Sequence, residues 1–176
     1  MKENIIKWTM LALALVATIS SLIGVGARCV KDYRFDTGCA QYLKRAADAN
    51  SIEIAKKELK QAISYAEEHN LTEGVVSIFF KQPENDVGFW YENMKASYEE
   101  LESLPDNTSS LEKTNVLMKL RESLTDSSEN GTSVTIPNGI SIYPNNVAYF
   151  WWITISFISA IFFWIAWYIY KEPYYY

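Results

Sequence analysis

Between Val147 and Tyr170 the chain runs for about 24 residues without an Asp, Glu, Lys, Arg or His. No other feature constrains its fold as strongly. At about 1.5 Å per residue a helix of that length reaches about 36 Å, more than the roughly 30 Å of hydrocarbon in a bilayer. Trp151 and Trp152 stand near one end, and Trp164, Trp167, Tyr168 and Tyr170 near the other. Amphipathic rings favour the headgroup level, so the two clusters read as the aromatic belts of a spanning helix. Lys171 follows, able to snorkel to the headgroups. Tyr174, Tyr175 and Tyr176 are then expected at the inner surface. A soluble core helix of this length would keep a wet face, which this run lacks.

A second uncharged run, Trp8 to Ala27, follows Lys2 and Lys7 near the N-terminus. Two readings stand for it. A retained helix is favoured by about 20 apolar residues; a cleaved signal peptide has the small residues Val25 and Ala27 but normally an apolar stretch of only about 7–15. The expected division is a cytoplasmic start (1–7), a first span (8–27), a central domain (28–146), a second span (147–170) and a cytoplasmic end (171–176).

Charge orients that arrangement. Residues 28–146 hold 13 of the 16 Lys+Arg and 19 of the 21 Asp+Glu, a net of −6, while the two ends hold 3 against 2, a net of +1. Short positive flanks stay inside and long loops cross regardless of charge. Both ends are therefore expected in the cytoplasm and the acidic domain outside, in a cell (inner) membrane. Arg28, Lys31 and Arg34 argue the other way. Cys29 and Cys39, the chain's two cysteines, fall in the domain assigned to the oxidising side. A disulfide between them is expected, closing a short loop worth roughly 2–3 kcal/mol; two buried free thiols are the alternative. With His69 they are too few to complete a zinc shell without carboxylates.

The central domain, about 119 residues, suffices for one compact unit. Asp36 and Thr37 are expected to cap a first helix running to about His69, with a weak point at "ADANS" where it can kink or break, and with Gly74 after its end as the stop. "GVVSIFFKQPENDVG" reads as an extended stretch turning at Pro83. Asp86 should cap a second helix that ends before Pro105, and Ser109 or Ser110 a third through Leu124. "DSSENG" reads as a loop, and "SVTIPNGISIYP" as a short β hairpin or extended arm. The fold class expected is mainly α: two transmembrane helices flanking an extracytoplasmic antiparallel domain of about three helices.

The chemistry missing from the chain narrows its function. Neither G-x-x-x-x-G-K-[ST] nor G-x-G-x-x-G occurs, so no phosphate cradle is encoded. A di-iron bundle needs two Glu-x-x-His motifs, and the chain has one histidine. Glu67 and Glu68 adjoin His69 but point elsewhere on a helix, so a solvated helix end is the plainer reading. Glu99, Glu100 and Glu102 read as a wet helix face rather than an acid–base pair. The acidic balance excludes a nucleic-acid stripe, and spans without ionisable residues speak against an ion-coupled carrier. No cofactor and no enzymatic activity are expected.

Three features suit association instead. Ala17/Ser21, Ser20/Gly24 and Ser156/Ala160 place small residues four apart, spacing that lets membrane helices approach closely. Phe89, Trp90 and Tyr91 are consecutive, so a helix cannot turn all three to one core. Two buried and one exposed is the plain account; an exposed ring that docks on a partner is the functional one. Asn70, Asn107 and Asn130 each open an N-x-[ST] triplet, which matters only in a glycosylating host.

"DVGFWYENMKASYEELESLP" followed by "SSLEKTNVLMKLRESL" resembles a family of small, uncharacterised bacterial two-pass membrane proteins. That resemblance covers most of the central domain and implies an inner-membrane protein; it carries no activity and no functional residue. The order helix, outer helical domain, helix also resembles the sensory module of bacterial chemoreceptors, although the few residues after Tyr170 leave no room for an output domain. The expected function is non-enzymatic: an outer helical domain that binds another membrane protein or its own copies, its anchors in the lipid bilayer. A ligand-sensing module acting through a partner subunit is the alternative.

Overall fold

The computed structural model describes residues 2–105, 107–128 and 131–171. The protein is mainly helical (76%) with a small two-stranded antiparallel sheet. It divides into two compact units, Met1–Val30 with Asn145–Tyr176, and Lys31–Pro144.

The first unit is a helical hairpin built from the N-terminal part of α1 (Lys2–Phe35) and from α6 (Asn146–Lys171). Both helices are long and apolar enough to cross a membrane, and few of their residues are buried. Ile19, Leu22, Ile158 and Phe162 are among the exposed ones. A core helix of a soluble domain would bury such side chains, whereas a bilayer solvates them.

The second unit holds α2 (Gln41–Ala47), α3 (Ile52–Glu68), α4 (Val87–Glu102), α5 (Ser110–Leu124), β1 (Thr125–Ser128) and β2 (Gly131–Val134). On α3 the buried positions Ile52, Ala55, Leu59, Ala62 and Ala66 recur at spacings of three and four, a single apolar stripe. Three of the five are alanines, so neighbouring backbones come close. Leu43 and Ala46 from α2, Val87, Trp90 and Met94 from α4, and Leu120 and Leu124 from α5 complete one core. Hydroxyl and carboxylate caps start the helices: Ser51 accepts from Ile54 N (3.3 Å), Asp86 from Phe89 N (3.0 Å) and Ser109 from Glu112 N (3.2 Å). Each satisfies a donor that the first turn leaves unpaired.

Several expectations need correction. Asp36 and Thr37 start no helix. Phe35 is itself helical, Asp36–Ala40 form a π-helical turn, and the Thr37 hydroxyl donates back to Tyr33 O at 2.9 Å. The break after α2 falls at "ADANS", where the pattern weakens, so the expected first helix is two helices, α2 and α3. Cys29 and Cys39 form no disulfide: both are free, Cys29 exposed and Cys39 buried. The backbone between them is helical, and ten residues of helix advance about 15 Å, far beyond the roughly 7 Å limit for bridged Cα atoms. Gly74 does not stop α3. Asn70 does, at φ 56°, with Asn70 N donating to Glu67 O (3.1 Å) and Leu71 N to Ala66 O (2.7 Å), the paired bonds of a Schellman motif.

The hairpin also lies earlier than expected. Thr125 pairs with Val134 and Ser128 with Gly131, so "DSSENG" contributes a strand rather than only a loop; Glu129 and Asn130 lie outside the described residues. Pro137–Gly139 turn into a short 3-10 helix, Ile140–Ile142, with Gly139 at φ 82°. Ile140 and Ile142 are both buried, so the alternation seen in sequence reports core contacts of an arm and not a sheet face.

Candidate functional site

Loop 77–85 and the start of α4 carry the most exposed aromatic surface of the domain. Val76 N donates to Asn85 O at 3.0 Å, and Val75 bridges Asp86. The Asn85 side chain, nearly buried, donates to Gln82 Oε1 (3.1 Å) and Ser77 Oγ (3.4 Å). These bonds close the neck of a loop whose outer part presents Phe79, 66% exposed, and Phe80, 81% exposed. One helical turn after the neck, Phe89 is 65% exposed. Trp90 and Tyr91 turn inward and are buried.

Beside Phe89 opens a cleft of about 370 Å³. Trp90, Met94 and Leu124 supply buried apolar wall, and Pro83 and Pro137 also line it. Glu84, Asp86, Asn93, Ser123 and Thr135 bring polar groups to it. A backbone bond from Thr135 N to Leu124 O (2.9 Å) holds the arm after β2 against the end of α5. No Lys, Arg or His stands among the described lining residues. The cleft thus combines aromatic wall, hydroxyl and amide groups, and two carboxylates.

Behind this surface Tyr91 donates its hydroxyl to Glu67 Oε1 at 2.7 Å. That bond, then burial, pushes the Tyr91 phenol up to about 12. Burial alone pushes the Cys39 thiol up to about 12, so it stays a protonated, unreactive core thiol. His69 is exposed and stacks on Tyr65, with ring centroids 3.9 Å apart, and its Nδ1 lies 2.9 Å from Tyr65 O. Glu100 pairs with Lys119 at 2.8 Å on the exposed surface. None of these groups lines the cleft.

Within the hairpin unit, Ser20 Oγ lies 3.1 Å from Ser156 Oγ, and Trp152 Nε1 donates to Ser20 Oγ at 3.0 Å. Trp164 Nε1 donates to Thr18 Oγ1 at 3.1 Å. Gly24 faces Ile153 so closely that an added Cβ would stand 2.9 Å from its Cγ1. Ser21, Gly24 and Ala160 are buried and Ala17 is half-buried. Trp152 and Trp164 therefore aim their N–H groups at hydroxyls of the other helix. The tyrosines 174–176 lie outside the described residues.

Sequence reasoning singled out Phe89 but missed Phe79, Phe80 and the cleft. "IFF" in an extended stretch was a usable signal, because three consecutive large apolar residues cannot share one face of a strand. The cleft had no local signal, since its walls come from α4, α5 and the arm. What results is a small helical domain joined in one chain to a helical hairpin of membrane-spanning length, with an aromatic loop and an acid-lined cleft. No protein-family model, curated protein or solved structure matches the chain.

Proposed function

We propose that this chain is a non-enzymatic two-pass membrane protein whose central domain lies outside the cytoplasm and binds another protein or further copies of itself. The exposure of Phe79, Phe80 and Phe89, on one loop and the helix start that follows it, carries this reading. Exposed apolar clusters of that kind mark interaction surfaces, and aromatic residues dominate binding hot spots. The charge asymmetry between ends and middle supports the orientation. Purification in mild detergent tests it. The intact protein is expected to run as an oligomer or with a bound partner, and Phe79→Ser/Phe80→Ser/Phe89→Ser as a folded monomer. A monodisperse wild-type monomer with nothing bound refutes it.

A second reading is favoured by the cleft: the domain senses a small ligand and passes occupancy to a partner subunit. Its volume of about 370 Å³ falls within the roughly 300–1,000 Å³ usual for ligand sites, and a few placed polar groups on an apolar wall are the usual composition. Ligand-dependent crosslinking between the spans tests the relay.

A further inference from the structure

We infer that the cleft takes a small organic monocation with an apolar, flat body, an arylalkylamine being the simplest such molecule. This rests on the ligand-sensing reading and adds the chemistry of the ligand. The apolar body has Trp90, Met94 and Leu124 to lie against, with Phe89 as an exposed side wall. The charge has Glu84 and Asp86, and the described lining brings no cation to compete for them. Asn93, Ser123 and Thr135 offer hydroxyl and amide oxygens to the ammonium hydrogens. The electron-rich faces of Trp and Phe add attraction for a cation that an anion lacks. The surroundings act in the same direction. Residues 31–144 hold 12 Lys+Arg against 19 Asp+Glu, a net of −7, which raises the local concentration of cations. An anionic ligand of equal size meets two carboxylates and no counter-charge.

Asp86 also caps α4 through Oδ1, so its charge must be tested without losing the cap. Asparagine caps about as well as aspartate. Asp86→Asn therefore removes the charge and keeps the helix start, and Glu84→Gln alters an exposed side chain.

Trp90 is the one tryptophan between residues 31 and 144, which supplies a local probe. The full chain is labelled with 5-fluorotryptophan in lipid nanodiscs. The five other fluorine resonances are assigned by single Trp→Phe changes, leaving that of Trp90. Phenethylamine, 2-phenylethanol and 3-phenylpropionate are then titrated in. Phenethylamine is expected to shift the Trp90 resonance saturably, with half-saturation on the order of 1 mM for so small a ligand. The neutral alcohol should bind about tenfold more weakly and the carboxylate not measurably. Each carboxylate-to-amide change should weaken the amine about threefold, as for a partly exposed ion pair, with the unliganded Trp90 resonance in place. An unmoved Trp90 resonance at about 10 mM amine overturns the site. Equal response to the alcohol, or unchanged affinity in the Glu84→Gln/Asp86→Asn variant, overturns the cationic class. Binding of the amine without any change in crosslinking between the spans refutes the relay alone and leaves the cation chemistry standing.

Discussion

Tyr91 illustrates how a single residue couples the domain's surface to its core. Its ring is buried while its hydroxyl holds Glu67 across to α3 at 2.7 Å. The carboxylate favours the protonated phenol, which is why the group titrates near 12 rather than at its usual value of 10. The stability this contributes is fully present below pH ~10 and is lost as the pH rises through about 12, because the unfolded chain then releases a proton that the fold retains. Tyr91→Phe is expected to cost about 1 kcal/mol at neutral pH and to flatten the alkaline loss. Thermal unfolding from pH 9 to 12 measures both. Gly38 acts through its size. A Cβ there would run into the Tyr65 ring, which already stacks on His69. Gly38→Ala should cost about 1–3 kcal/mol, as overpacking does, and calorimetry of the purified variant would read it.

At the scale of elements, the two long helices differ from plain anchors in how they meet. Ser20 and Ser156 touch through hydroxyls, Trp152 and Trp164 donate across the seam, and Gly24 receives Ile153. Small residues at such a seam bring backbones together, and under the proposed membrane setting lipid offers the polar groups no alternative partner. Ser156→Leu/Ala160→Leu adds bulk at a half-buried and a buried position. In a Cys29→Ser/Cys39→Ser background, crosslinking between cysteines placed in the two spans should fall severalfold. Undiminished crosslinking would show that apolar length alone holds the pair. In the domain, by contrast, alanines on α3 do the same work in water, where burial of apolar area at roughly 25 cal/mol per Å² drives the packing.

For the whole molecule, the charge distribution makes the testable statement. Ends with a net of +1 flank a middle with a net of −6, and the proposed orientation rests on the cost of moving short basic flanks across a membrane. Reporter enzymes fused after Asn146 should be active outside the cytoplasm, and those fused after Tyr176 only inside. Activity of the C-terminal fusion outside would overturn the hairpin topology and, with it, the extracytoplasmic assignment of the domain.

Elements with a local cause are legible in the chain alone. Twenty or more uncharged residues demand an apolar solvent or a helix partner, so both long helices were legible. Asp86 and Ser109 were legible as caps because a short acceptor before an apolar run satisfies the first turn's donors wherever the helix goes. Tertiary structure decided whatever depended on distant residues. Asp36 and Thr37 look like a cap yet sit in continuous helix, because Gly38 and Cys39 pack against α3 and tertiary contacts outweigh a cap's contribution of about 1 kcal/mol. Cys29 and Cys39 suggested a bridge by count and spacing, but helical backbone separates them. Ile140 and Ile142 alternate like a strand and instead fill the core from an arm. The cleft was invisible for the same reason: Trp90, Leu124 and Pro137 lie far apart in the chain and become neighbours only once α4, α5 and the arm have packed.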